Sequence, residues 1–242
     1  MKLDSKVRFR RHLKYWFVRL KLHRVTSPFL GLLENFVYLS KYSKWCHSHF
    51  VLKFGDFRVP HPNPSKRYEL FQFLLIQEQL QGEIDYLEFG VASGHSLSWW
   101  VENNKHPSSK FVGFDSFRGL PEDFGLLRKG AFSTASRPPQ INDQRCRLVA
   151  GLFQDTLYDF LKVFSLDRRA VIHLDADLYS STLFVLAALA TKLKKDDILI
   201  FDEFGVPLHE FRAFLDFSTS FPVRYEVLGE TNNYFQVAMK IL

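Results

Sequence analysis

Tyr86–Leu87–Glu88–Phe89–Gly90–Val91–Ala92–Ser93–Gly94–His95–Ser96 is the stretch that decides the fold of this chain. An apolar run that begins at Ile84 ends in an acidic residue and enters a loop with glycines four apart. Leu97–Val101 then reads as helix. A strand that feeds a Gly-rich turn and a helix presents backbone N–H groups and a helix N-terminus to a nucleoside-bearing ligand. A second apolar run, Phe111–Phe114, ends at Asp115, 25 residues past Gly90. A carboxylate at that strand tip can accept hydrogen bonds from ribose hydroxyls.

The loop narrows the choice of ligand. A dinucleotide needs G-x-G-x-x-G, whose second glycine lets the backbone approach a pyrophosphate. Here Ala92 stands between Gly90 and Gly94, and no P-loop pattern occurs elsewhere. Glu88 would repel a phosphate but suits a cation, such as the sulfonium and amino groups of S-adenosylmethionine. The competing reading is a plain strand–helix connection that binds nothing.

Outward from this stretch, strand and helix alternate. Strands are predicted at 84–89, 110–115, 146–150, 170–175 and 197–202, and helices near 95–103, 155–164, 180–194 and 207–218. This alternation implies a doubly wound parallel sheet with right-handed crossovers. The end of the chain breaks the pattern. Val223–Leu228 and Tyr234–Ile241 are joined by Gly229–Asn233, a connector too short for a crossover, so they must pair antiparallel. The expected fold is therefore α/β, with a mostly parallel seven-stranded Rossmann-like sheet that ends in an antiparallel hairpin. Such a hairpin distinguishes adenosylmethionine-dependent methyltransferase sheets from dinucleotide-binding ones.

Acidic residues gather where the later strands end: Asp175 and Asp177 after the fourth, Asp202 and Glu203 after the fifth. In an open α/β sheet that edge binds ligands. Convergent carboxylates need a cation, and hard oxygen donors suit Mg²⁺ or Ca²⁺. Asp175, Asp202 and Glu203 are read as metal ligands, and Asp177 as a helix cap. His173 is read as a satisfied core histidine. His95, just after Gly94, stands either at the ligand or in solvent.

A chain of 242 residues with 46% hydrophobic residues, including 26 Phe, can fill one large α/β domain. Cys46 and Cys146 form neither a disulfide framework nor a zinc motif. The start of the chain lacks the apolar stretch of a signal peptide, and no run reaches membrane-span length, so a cytoplasmic protein is expected. Charge is concentrated at one end. Residues 1–24 hold nine Lys or Arg and one acid, whereas the remainder is close to neutral at −2. Phe9, Leu13, Trp16, Phe17 and Leu20 fall at helical spacing in that segment. Two readings stand: the stripe packs on its own domain or on a neighbouring subunit, or the basic helix meets an anionic membrane peripherally. No nucleic-acid motif is present, and none is expected as a partner. Residues 25–65 read as aromatic-rich and irregular, ending in the proline-rich link Val59–Pro64. Ser65 is placed to cap a helix from Lys66 to about Leu80. The predicted division is an appendage, 1–65, and a catalytic domain, 66–242.

Four motifs in order carry a family resemblance: Glu88–Gly94, Gly113–Glu122 (Gly-Phe-Asp-Ser-Phe-Arg-Gly-Leu-Pro-Glu), His173–Thr182 (His-Leu-Asp-Ala-Asp-Leu-Tyr-Ser-Ser-Thr) and Phe201–Phe204. From about Arg67 to its end the chain resembles the macrocin O-methyltransferase (TylF-type) family of class I S-adenosylmethionine-dependent methyltransferases. The resemblance implies a Mg²⁺-dependent transfer of the methyl group of S-adenosylmethionine to a sugar hydroxyl of a natural product, polysaccharide or glycolipid. It implies that Glu88, Gly90 and Gly94 hold the methionine end of the cofactor and Asp115, with Ser116 beside it, the ribose. The loop containing Phe153 and Gln154 would border the adenine. Asp175, Asp202 and Glu203 would hold Mg²⁺, with Asp175 also the candidate base. A small-molecule or glycan acceptor and a homo-oligomer are expected. A catechol-type acceptor and a non-catalytic cofactor-binding subunit are the alternatives. Residues 122–140 read as a lid over the acceptor.

Overall fold

The structure, a computed structural model, describes residues 5–50, 52–56 and 60–242. Lys2 and Asp4 of the basic segment and Val59 of the proline link lie outside them. The parallel strands are β1 (Ile84–Phe89), β2 (Lys110–Asp115), β3 (Cys146–Ala150), β4 (Arg169–Leu174) and β5 (Ile198–Phe201). β6 (Tyr225–Thr231) and β7 (Gln236–Ile241) form the closing hairpin. The sheet order is β3-β2-β1-β4-β5-β7-β6, with β7 antiparallel to both β5 and β6. The predicted doubly wound sheet and its antiparallel end are both present.

The hairpin turn lies later than predicted. β6 continues through Gly229 to Thr231, with an irregularity between Val227 and Gly229. The turn falls at Asn232–Tyr234, all three with positive φ. Asn tolerates that conformation better than most residues, which is why the chain can reverse there.

Helices cover both faces: α4 (Lys66–Gln77), α5 (His95–Asn103), α6 (Phe153–Val163), α7 (Tyr179–Leu189) and α8 (Glu210–Ser220). α4 ends three residues before Leu80. Ser65 occupies its N-cap position but makes no side-chain capping bond. α4 and α5 bury Leu70, Phe71, Leu74, Leu97 and Trp100 against one side of the sheet. α6, α7 and α8 bury Leu157, Phe160, Val185, Leu186, Phe211 and Phe214 against the other. β1 and β4, with neighbours on both sides and helices on both faces, are almost wholly buried, including the polar Asp85, Glu88 and His173.

The appendage is more regular than its sequence suggests. α1 (Ser5–Arg19) and the short α2 (His23–Thr26) are followed by α3 (Leu30–Ser48), a helix of 19 residues inside the stretch read as irregular. Tyr42, Trp45 and Cys46 on α3 pack into the core cluster beside α8. Trp45 lies 4.8 Å from Phe204, ring centre to ring centre, and its Nε1 donates to the Tyr225 hydroxyl at 3.0 Å. Phe54 bridges Gly229 on the edge strand β6. Trp45→Ala is therefore expected to cost about 3–5 kcal/mol of stability, read from a denaturant midpoint. A shift under 1 kcal/mol would mean that α3 is not part of the folded body.

Candidate active site

β1, β4 and β5 end level with one another, because Phe89 pairs with Leu174 and Leu174 with Phe201. The residues that follow, Gly90, Asp175 and Asp202, are thereby brought to one edge. Gly90 has φ +102, and a Cβ there would stand 1.7 Å from the Asp175 carbonyl oxygen. Only glycine lets the loop pass so close to the end of β4. Gly94, at φ +80, opens α5, and a side chain there would strike Pro139. Ala92 holds a positive φ of 45 without being glycine.

A cavity of about 250 Å³ opens at this edge. Its lining includes Gly90, Ala92, Asp115, Ser116, Phe153, Gln154, Asp175, Asp177, Asp202 and Glu203. Most residues singled out from the sequence therefore share one wall. Phe153 and Gln154 belong to the first turn of α6, which starts two residues earlier than predicted. Three predicted positions are elsewhere. Gly94 supports the loop from behind, and His95 is exposed on α5. Glu88 is buried on the α4/α5 side of the sheet, where strand alternation points it.

Asp115 does local work in this structure. Its Oδ2 accepts from the backbone N–H groups of Val91 and Ala92 at 2.9 and 2.7 Å, and its Oδ1 from that of Phe117 at 2.6 Å. It moors the glycine loop to β2. Carboxylate oxygens have further lone pairs, so mooring and ribose binding are compatible. Asp115→Ala is expected to weaken S-adenosylmethionine binding by roughly 1–3 kcal/mol and to lower stability as well. An unchanged dissociation constant would remove Asp115 from the ribose site.

The acidic edge departs from the sequence reading in three ways. First, the third corner is His173. Ligand atoms of His173, Asp175 and Asp202 all lie within 4.8 Å of one another. Glu203 stands beside this trio with its Oε2 buried and unpartnered. Second, His173 is not a fully satisfied core residue. The single Tyr86 hydroxyl proton goes to Glu88 Oε2, so His173 Nδ1, 2.9 Å from the Tyr86 hydroxyl oxygen, is the donor in that contact. In a neutral imidazole Nε2 is then a bare acceptor. It is fully buried, has no hydrogen-bond partner, and lies 3.9 Å from Asp202 Oδ1. Third, Asp177 caps nothing: the N-cap of α7 is Leu178, without a side-chain bond. Asp177 adopts φ +56 and faces the cavity.

Electrostatics at this edge are unfavourable for ionised carboxylates. Burial, and then the neighbouring Asp202, push Asp175 well above the usual carboxylate range. Burial, followed by Asp175 and Asp202, does the same to Glu203. Asp177 is raised to about 7 by burial, then by Asp202 and Asp115. Relief comes from Arg67, in the first turn of α4. Its guanidinium pairs with Asp202 at 2.8 Å and approaches Asp175 at 3.6 Å. Neither contact has the alignment of a hydrogen bond, since both Asp202 oxygens remain without one. Sequence reasoning missed Arg67, which lies 108 residues before Asp175 and carries no local signature.

The segment expected to be a lid, 122–140, is tied at several points. Gly130 N donates to Leu120 O, Ser136 N to Phe117 O, and Ser180 Oγ to Glu122 Oε1. Phe124 stacks edge-on against His209. Phe132, half exposed, reaches the cavity, whereas Leu126 is wholly exposed and anchors nothing.

Known proteins agree with this architecture. Residues 87–204 match a family described as a methyltransferase domain. No curated protein sequence matches the chain. Among solved structures, the O-methyltransferase NovP is similar at TM-score 0.57 and 18% identity, covering 73% of this chain and 79% of NovP. CalS11, a calicheamicin methyltransferase, is similar at TM-score 0.56 and 20% identity, covering 86% of this chain and 92% of CalS11. An O-methyltransferase from Bacillus cereus, solved with SAH, is similar at TM-score 0.50 and 15% identity, covering 85% and 90%. At such identities these likenesses establish the fold, that of the class I methyltransferases. The domain match marks residues 87–204 as similar to methyltransferase domains. No described helix is long and apolar enough to cross a membrane.

Proposed function

We propose that this chain transfers the methyl group of S-adenosylmethionine to a sugar hydroxyl, with a divalent cation such as Mg²⁺ at the acidic edge. The observation that carries the cation is a pair of buried polar atoms without hydrogen-bond partners, His173 Nε2 and Asp202 Oδ1, 3.9 Å apart. Leaving such atoms unpaired is costly, and a cation would satisfy them together. The Tyr86–Glu88 pair fixes the imidazole tautomer that can donate a lone pair, the usual outer support of a metal-binding histidine. Asp175, Asp202 and His173 would hold the ion, with Glu203 adjacent, and the cation would lower the cost of the developing alkoxide. CalS11 is itself a TDP-rhamnose 3′-O-methyltransferase. That is a fact about CalS11, and the sugar reading here rests on the motif resemblance. A catechol-type acceptor would use the same cation and is separated only by assay.

The structure suggests a division of labour between two carboxylates. Asp175 would bind the ion, which compromises it as a base. Asp177, raised to about 7 by burial and its acidic neighbours, has the proton affinity suited to a general base near neutral pH. With an acceptor identified by screening sugar nucleotides and glycans, kcat is expected to rise with pH as Asp177 loses its proton, on a limb that lies lower when the cation offsets the charge of Asp202. Asp177→Asn is expected to lower kcat about a hundredfold or more, flatten that limb and leave cofactor affinity unchanged. A variant that keeps the same pH limb would return the proton to Asp175.

A further inference from the structure

We propose that α1, with the outward face of the first half of α3, is a docking surface for an anionic membrane. Every residue of α1 is exposed, and none is buried. Phe9, Leu13, Trp16 and Phe17 nevertheless lie along one side of it, with Leu20 just past its end; Phe9 is 69% exposed and Trp16 47%, while Val7, Tyr15 and Val18 are exposed on the other side. Arg10, Arg11, Lys14 and Arg19 fall on the flanks and the opposite side, and α1 contains no acid. The apolar exposure continues on α3. Leu32, Leu33, Phe36 and Val37 face away from the side that carries Tyr38, Tyr42 and Trp45 into the body. An apolar stripe bordered by Arg and Lys on a helix too short and too charged to span a bilayer is the chemistry of a helix that lies in the membrane interface.

Charge selects this occupant over a second copy of the chain. Two such arms meeting stripe to stripe would bring together segments of +8 each with no acids on α1 to compensate. The apolar stripe likewise favours a bilayer over a nucleic acid, which would use the cations and leave the aromatic side chains in water. The arm is also seated beside the candidate site. Arg212, near the start of α8, pairs with Glu34 of α3 at 2.7 Å and stacks over both Tyr38 and Tyr179. Tyr179 follows Asp177 by two residues. A docked arm would therefore hold the cavity rim near the surface. This proposal does not depend on the methyl-transfer reading.

The test uses the full chain in sedimentation with phosphatidylcholine vesicles, with and without about 30% phosphatidylglycerol, at low and high salt. Its solution mass is measured by light scattering. Binding is expected to the anionic vesicles only and to fall with salt. Replacing Arg10, Arg11 and Lys14 together by Gln is expected to weaken it roughly a hundredfold, about fivefold per charge. Phe9→Ser with Trp16→Ser, at unchanged charge, is expected to weaken it at least about tenfold. These side chains are exposed, so thermal melting should not move in either variant, which shows that the body is intact. No binding to anionic vesicles at low salt would overturn the proposal. So would unchanged binding by the Phe9/Trp16 variant, which would mark the arm as a general polyanion binder. A dimer that becomes monomeric in that variant would show instead that a second copy covers the stripe.

Discussion

Asp175→Ala is expected to lower turnover on an identified acceptor by at least about a thousandfold, the combined loss of a cation ligand and of the charge beside the reacting hydroxyl. The fold should survive the change. Asp175 is itself pushed well above the usual carboxylate range by burial and Asp202, so removing it relieves repulsion. The Arg67–Asp202 pair at 2.8 Å is left in place. Melting temperature should thus stay level or rise while activity disappears. The glycine loop and Asp115 are built by β1 and β2, so S-adenosylmethionine affinity should change only a few-fold. Normal turnover by the variant would dismiss the cation site. A collapse in stability would show that Asp175 is structural.

Arg67→Met is expected to produce a large and strongly pH-dependent loss of stability. The guanidinium is the cation that approaches both Asp175 and Asp202 among the described residues. Its removal leaves buried carboxylates uncompensated, a loss of about 3 kcal/mol in cation-free buffer. The pH dependence follows from the sign of the shifts. A carboxyl whose folded pKa is raised, such as Asp177 at about 7, is stabilised when protonated. That stability is complete below the ordinary carboxylate range and is lost as pH rises through the folded value. Without Arg67 the burden grows, so the loss should be small near pH 5 and largest above pH 7. If the same carboxylates hold a divalent ion, millimolar Mg²⁺ should recover a large part of it, and Mg²⁺ should bind the variant more tightly than the parent. Equal stability of the two chains at pH 8 without Mg²⁺ would mean that Arg67 does not neutralise the cluster. Loss without recovery by Mg²⁺ would mean that the cluster is built for the guanidinium alone.

How far the sequence was legible depended on whether the signal was local. β1, β2 and β3 lie at the predicted 84–89, 110–115 and 146–150, because each is a short, largely apolar run bounded by turn signals. The hairpin end followed from a connector too short to cross over. β4 and β5 end at Leu174 and Phe201, one residue before the predicted 175 and 202, which still locates the edge where Asp175, Asp202 and Glu203 emerge. Register across strands was not. Glu88 pairs with His173 in the β1–β4 ladder, which places Tyr86, Glu88 and His173 on one face. Alternation could say which way His173 points but not that Asp202 stands 3.9 Å beyond its Nε2. Arg67 was missed and Asp177 was read as a helix cap for the same reason: each has its meaning from residues distant in the chain. α3 was read as irregular because apolar residues occur nearly all round it. One face enters the core through Tyr42 and Trp45, while Leu32, Leu33 and Phe36 face outward.

On this reading the cavity between the glycine loop, β2 and the acidic edge holds S-adenosylmethionine. Equilibrium dialysis of the full chain against radiolabelled S-adenosylmethionine tests it directly and needs no acceptor. The expected result is saturable binding of one molecule per chain, displaced by S-adenosylhomocysteine and weakened in Asp115→Ala while Asp175→Ala binds nearly as the parent does. Absence of saturable binding by the folded parent chain, or equal binding by the parent and Asp115→Ala, would contradict the account.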